Sequence, residues 1–231
     1  MANLELDYME YATDGAAQAA YVTNATGTAE SVDQEQTTID LTVFYLGDSS
    51  DVEIRQGQSF QLSGDMSVSA VEIKSGDAAA GSPSGNWTLR IETVDGGGKP
   101  SGTLVDAGAT VDVTPPAANT VIKGTFATPI ALSGSTTYWL VIQCANQSTG
   151  VGWYLSGNTE GGYANGARAQ CVDGTWADPG AYDLYFKVYK AAVDPSLQSY
   201  SEATIKTQGS YSLKGVARAT DSLNKTLTRT I

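Results

Sequence analysis

The chain has 231 residues, 41% of them apolar, with 25 acidic and 13 basic side chains and a formal charge of −12. That length buries a real core, no run of about 18 apolar residues is present to cross a bilayer, and so acidic a surface repels phosphate backbones and anionic lipid. There is no histidine, which removes the commonest general base, the Ser-His and Cys-His nucleophile pairs and most zinc and non-haem iron sites. Neither nucleic acid nor membrane insertion is expected.

Residues 1–24 read as a strand followed by a short helix. Leu4, Leu6 and Tyr8 alternate with Glu5, Asp7 and Met9, and Thr13-Asp14 offers a helix cap before the alanine-rich run Gly15–Tyr21. Residues 25–37 are polar and turn-forming and read as a linker. From 38 to 191 the chain is a succession of short β-like runs punctuated by Gly, Pro, Asn, Asp and Ser. These runs are 39–46, 57–62, 68–74, 87–93, 103–113, 121–127, 136–144, 151–155 and 182–190. In the clearest, Trp87, Leu89 and Ile91 face one side and Thr88, Arg90 and Glu92 the other. Nine to eleven strands at this spacing, with no helices between them, predict an all-β fold: an antiparallel, jelly-roll-like β-sandwich. Residues 192–231 return to a β pattern rich in Tyr, Ser, Thr and basic groups. The two ends together supply too few strands for an independent sheet, so they form a second, split and incomplete β module.

The charge is uneven. Residues 195–231 hold Lys206, Lys214, Arg218, Lys225 and Arg229 against Glu202 and Asp221, a net of +3, while the rest of the chain carries 8 basic and 23 acidic groups. Such a tail has two readings: electrostatic docking on an acidic body, or simple protection of an edge strand. Lys214, Arg218, Lys225 and Arg229, with the outward-facing Tyr185 and Tyr189 of the last central strand, are the candidate assembly contacts.

No carboxylate spacing singles out an acid/base pair, and Gly96-Gly-Gly98 runs into Lys-Pro, a hairpin turn and not a phosphate loop. No enzymatic activity is expected. Asp48, Asp51 and Glu53, or Asp173 and Asp178, are oxygen donors of the kind structural Ca²⁺ takes, but without EF-hand spacing they read as solvated turns, and no cofactor is expected. Cys144 and Cys171 each sit in a β-like stretch, so a disulfide across adjacent strands and two separate thiols both remain open. Trp87 and Trp139 read as core. Trp153, Tyr154, Asn158, Tyr163, Asn165 and Trp176 lie in Gly- and Asn-rich stretches, where aromatic faces beside amides suit sugar rings. They are the candidate ligand-binding residues, against the plainer role of pinning loops.

The central runs GQSFQL, VSAVEIK, GSPSGNWTLRIET, GGKPSGTLVDA, GTFATPIALSGSTTYWLVIQ and YDLYFKVY resemble a β-sandwich module of phage and metagenomic virion proteins. Bacterial surface proteins with carbohydrate-binding-like jelly rolls share it. The flanks LDYMEYATDGAAQAAYV and LQSYSEATIKTQGSYSLKGVARATDSLNKTLTRTI are similar to the opening of a second jelly-roll module of predicted phage tail and structural proteins. The resemblance implies a central domain inserted into a flanking one, in a virion tail, fibre or decoration protein. It also implies partners that are other copies of the chain, other virion proteins and cell-surface glycans. The flanking module normally continues beyond TLTRTI, so the resemblance implies either a longer protein of which this chain is a part or missing strands supplied by a neighbouring subunit. The opening MANLELDYMEYA lacks the basic and apolar regions of a signal peptide, as expected of a protein assembled into a particle within the host cytoplasm and released with it. The alternative is a free carbohydrate-binding module, adhesin or extracellular filament subunit.

Overall fold

The computed structural model describes residues 29–48, 53–80, 85–115, 117–144, 151–178 and 180–192, with short strands at both ends. The chain divides into two units, Met1–Glu30 with Ala192–Ile231, and Ser31–Ala191. In the first, β1 (Asn3–Leu4) pairs with β4 (Ala25–Thr26), and β2 (Asp7–Tyr11) pairs with β3 (Ala17–Tyr21). The helix expected over Gly15–Tyr21 is therefore a correction: Ala17–Tyr21 is a strand, in register from Tyr11↔Ala17 to Asp7↔Tyr21. Seven residues are too few to sustain a helix alone, whereas in a hairpin each residue pair facing inward is tied by ladder hydrogen bonds to the other strand.

The central unit contains β5 (Ser31–Gln36), β6 (Leu41–Asp48), β7 (Glu53–Gln61), β8 (Met66–Ala80), β9 (Trp87–Val94), β10 (Pro100–Leu104) and β11 (Thr110–Val113). It continues with β12 (Val121–Leu132), β13 (Thr137–Gln143), β14 (Gly152–Asn158), β15 (Arg168–Val172), β16 (Thr175–Ala177), β17 (Asp183–Leu184) and β18 (Phe186–Lys190). Among the described strands every ladder is antiparallel. The last three strands, β19 (Ala203–Lys206), β20 (Ser212–Ala219) and β21 (Lys225–Arg229), form a meander in the outer unit.

The central strands make one sheet that folds back on itself. One layer is β12-β8-β18-β5; the other holds β9, β13, β7 and β15, with β10 and β11 both on β9. The fifteen-residue β8 leaves the first layer at Ser75 to pair with β14, β14 pairs with β6, and the end of β6 meets the start of β7. The expected antiparallel sandwich thus closes through β14 and β6. Residues 25–37 do not act as a linker throughout, because Ser31–Gln36 is a strand on β18, with Lys190 opposite Ser31. Its polar sequence suits an edge, where one face and one side stay wet.

Between the layers, Trp87, Leu89 and Ile91 of β9 meet Val71 and Ile73 of β8, Ile122 and Phe126 of β12, Leu140 and Ile142 of β13, and Phe186 and Val188 of β18. Alternation along β9 holds for these three, but Glu92, expected on the wet side, is 1% exposed. The outer face of this layer is covered too: Trp139, Val141 and Ala169 are buried there beneath Val94 and Trp176. Glu92 accepts from Arg90 Nε at 2.8 Å and from the Gly102 amide at 2.8 Å, so its burial is compensated.

Where strands cross closely, only glycine fits. A methyl on Gly157 would run into the Asp183 carbonyl oxygen and come within 2.6 Å of the Phe44 ring. Gly157→Ala is expected to cost about 2–4 kcal/mol in denaturant unfolding, while Gly96→Ala, with nothing within 4 Å of the added methyl, changes stability by less than about 0.5 kcal/mol.

Candidate functional site

The six candidate ligand residues do not form one surface. Trp153 on β14 packs against the main core with its ring edge-on to Trp87 at 5.8 Å, and its indole N–H is buried without a hydrogen-bond partner among the described residues. A buried N–H offers nothing to a sugar hydroxyl. Tyr154, next along the strand and so on its other face, stacks edge-on with Tyr45 at 5.7 Å. Tyr163 pins its loop: the hydroxyl donates to Gln34 at 2.7 Å, its amide donates to Asp183 at 2.9 Å, and the ring stands edge-on to Phe186 at 5.1 Å. Burial pushes the Tyr163 phenol above its usual pKa. Asn158 is buried and accepts from the Glu160 amide at 2.6 Å; Asn165 is exposed in the loop beyond.

Trp176 lies elsewhere again, half-buried on the outer face over Trp139 and Gly57. It is carried there by a two-residue hairpin between β15 and β16, whose turn residues Asp173 and Gly174 have φ of 49° and 76°. Asp-Gly is the favoured pair for such a turn, so this hairpin had a sequence signal inside a stretch read as loop. Lys99 Nζ reaches Asp178 at 3.8 Å, tying the β9–β10 turn to the residues after β16. A cleft of about 400 Å³ lined by Thr93, Val94, Thr136, Thr137 and Tyr138 shares Val94 with this cluster, and it contains none of the six.

Tyr185 and Tyr189 share an outward face, as their parity predicts, but they are engaged within the unit. Both hydroxyls donate to one carboxylate: Tyr185 to Glu72 Oε1 at 2.9 Å and Tyr189 to Glu72 Oε2 at 2.6 Å. Lys187 sits 3.6 Å from Glu72 and 3.9 Å from Glu35, and Lys123 lies over the Tyr189 ring at 3.7 Å. The register puts Lys123, Glu72, Lys187 and Glu35 in a single cross-strand row, alternating in sign over β12, β8, β18 and β5. As a contact stripe Tyr185 is a correction, being only 8% exposed. Lys214 pairs with Thr204, Arg218 with Thr226, Lys225 with Ala219 and Arg229 with Gly215 in the outer unit's meander; their side chains lie outside the described residues.

Sequence reasoning missed a buried polar seam. Arg168 of β15 is 3% exposed, donating from Nε to Gln56 and from Nη2 to Gln170, each at 2.9 Å, with its guanidinium 4.1 Å from the Phe44 ring. Nearby in the sequence of strands, Asp183 accepts from Gln58 at 2.9 Å. Burial pulls the Arg168 pKa down to about 10, and the group still carries its charge at neutral pH. Arg168, Gln56 and Gln58 lie on strands, but polar side chains at buried positions give none of the apolar alternation by which a core face is read.

Cys144 and Cys171 are two thiols, which corrects the disulfide alternative. Cys144 belongs to the core between the layers, while Cys171 follows Ala169 by two on the face toward the smaller cluster. Opposite faces of one sheet cannot be bridged. Burial raises the Cys171 thiol pKa, which makes it a poor nucleophile. Asp51 and the Asp48 side chain lie outside the described residues, and Asp178 is engaged with Lys99 and the Gly180 amide. Among the described residues no three acidic or thiol side chains converge on a metal position.

The fold is an all-β antiparallel sandwich over Ser31–Ala191, beside a second unit made of Met1–Glu30 and Ala192–Ile231. No protein-family model, curated protein or solved structure matches it.

Two measurements check these interiors. Arg168→Ala is expected to cost about 3 kcal/mol, leaving two glutamine acceptors and a void, while Arg168→Met, which fills the space without the charge, costs less than about 1.5 kcal/mol. Burial, then the Glu72 hydrogen bond, pushes the Tyr185 phenol up to about 12. Its folded pKa lies above the unfolded value of 10.0, so its contribution is complete below pH 10 and is lost as pH rises toward 12. In Tyr185→Phe, stability measured by denaturant titration falls less steeply across that window than in the wild type.

Proposed function

We propose that this chain is a non-enzymatic structural protein of an assembled particle, a virion tail, fibre or decoration component that displays the central sandwich. The observation that carries the reading is the insertion geometry. Residues 1–30 and 192–231 group together, and the sandwich between them begins and ends on paired strands, with Ser31 opposite Lys190. A domain whose ends are adjacent can sit within another module without disturbing either fold. A structural role is supported by the buried carboxylates that are described: Glu72, Glu92 and Asp183 are each occupied by hydrogen bonds inside the fold. A free carbohydrate-binding module needs a shared aromatic platform, and the six candidates are spread over separate faces.

The expected outcome for the purified full chain is assembly that grows with concentration, followed by light scattering and electron microscopy. A chain that stays monomeric at every concentration contradicts the proposal. Adhesion is read separately on a glycan array with wild type and Trp176→Ala; no binding by either retires glycan as a partner and leaves the structural role intact.

A further inference from the structure

We propose that β5 is the docking edge for β21 of a second copy of this chain, so that the acidic edge of one sandwich takes up the basic C-terminal strand of the next. The inference rests on the assembly reading above and names the contact that would produce it.

The edges of the central sheet are not alike. β12, at one end of its layer, breaks register between Thr125 and Ile130, with Pro129 inside the break and Lys123 on the strand. β10 starts at Pro100 and also breaks register, and β16 is three residues long. Proline, lysine, irregularity and shortness are the usual means by which a sheet edge resists further pairing. β5 has six residues with neither proline nor lysine, and β18 is its only ladder partner among the described strands. Its one irregularity is the register shift opposite Val188 and Tyr189.

Charge selects the occupant. β5 carries Asp33 and Glu35, and residues 31–191 hold 17 acidic and 8 basic groups, a net of −9. β21 reads KTLTR, with Lys225 and Arg229 and no acid, in the only stretch of the chain whose net charge is positive over so long a run. It too ends its sheet, with β20 as its one ladder partner among the described strands. Two β5 edges repel, as do two β21 edges, and only the mixed pairing brings opposite signs together. Backbone hydrogen bonds supply the affinity in such strand addition, and the charges set partner and direction. A contact between two different patches is head-to-tail, so it propagates into a ring or a filament.

The experiment uses the full chain in sedimentation at low and high salt, with Glu35→Lys and Lys225→Glu/Arg229→Glu as charge reversals, each checked for wild-type circular dichroism. Wild type is expected to self-associate, more weakly at high salt. Either reversal alone weakens association about tenfold, and an equimolar mixture of the two variants regains it. A wild type that remains monomeric overturns both this contact and the assembly reading. An assembly indifferent to both reversals, or a mixture no stronger than its components, overturns the β5–β21 pairing alone.

Discussion

The two-sided burial of β13 is the interaction on which the rest of the central unit depends. Tyr138, Leu140 and Ile142 enter the core between the layers, while Trp139 and Val141 on the same strand are sealed beneath Trp176 and Val94. A strand buried on both faces needs cover on both, and each further feature answers that need. β8, β12 and β18 supply the opposite layer, and the Asp173-Gly174 hairpin brings Trp176 over the other side. Gly57 lies directly under that cover, with the Trp139 and Trp176 rings each 3.2 Å from where its methyl would be. Apolar burial of this kind contributes about 25 cal/mol per Å² and has no direction of its own. Direction comes from the backbone ladders and from the close glycine crossings.

Polar groups inside the fold are arranged so that little is left over for chemistry. Glu72 takes two phenols and a lysine, Glu92 takes an arginine and an amide, and Asp183 takes a glutamine and an amide. Groups satisfied in this way favour a single register, because shifting a strand by one residue would orphan each of them. The alternating row Lys123, Glu72, Lys187, Glu35 fixes register across four strands of one layer, which suits a domain that holds a shape. Surface chemistry is left to the edges, where the acidic sandwich and the basic terminal strand differ most.

Much of this was legible in the residues. Alternation placed Trp87, Leu89 and Ile91 of β9 correctly, and the density of turn residues between short apolar runs gave the antiparallel sandwich. Trp139, read as core, is buried; alternation failed at Glu92, because a period of two tells which side chains share a face and says nothing about whether a hairpin from elsewhere will cover it. The alanine run at Gly15–Tyr21 looked helical because propensity is local, and pairing with Asp7–Tyr11 is not. Ser31–Gln36 looked like linker because an edge strand needs little apolar surface. The aromatic candidates have loop-like neighbours in the sequence, yet Trp153 is on β14 and both Trp153 and Tyr163 pack against the main core, which no local pattern encodes.

The most direct test of the two-faced centre is hydrogen exchange on the full chain, resolved by residue. The account predicts that the slowest amides lie in β7, β9 and β13, exchanging only through the largest opening of the central unit, while β5 and β16 exchange through smaller local openings. Protection concentrated elsewhere, with β13 exchanging as fast as β5, would contradict it.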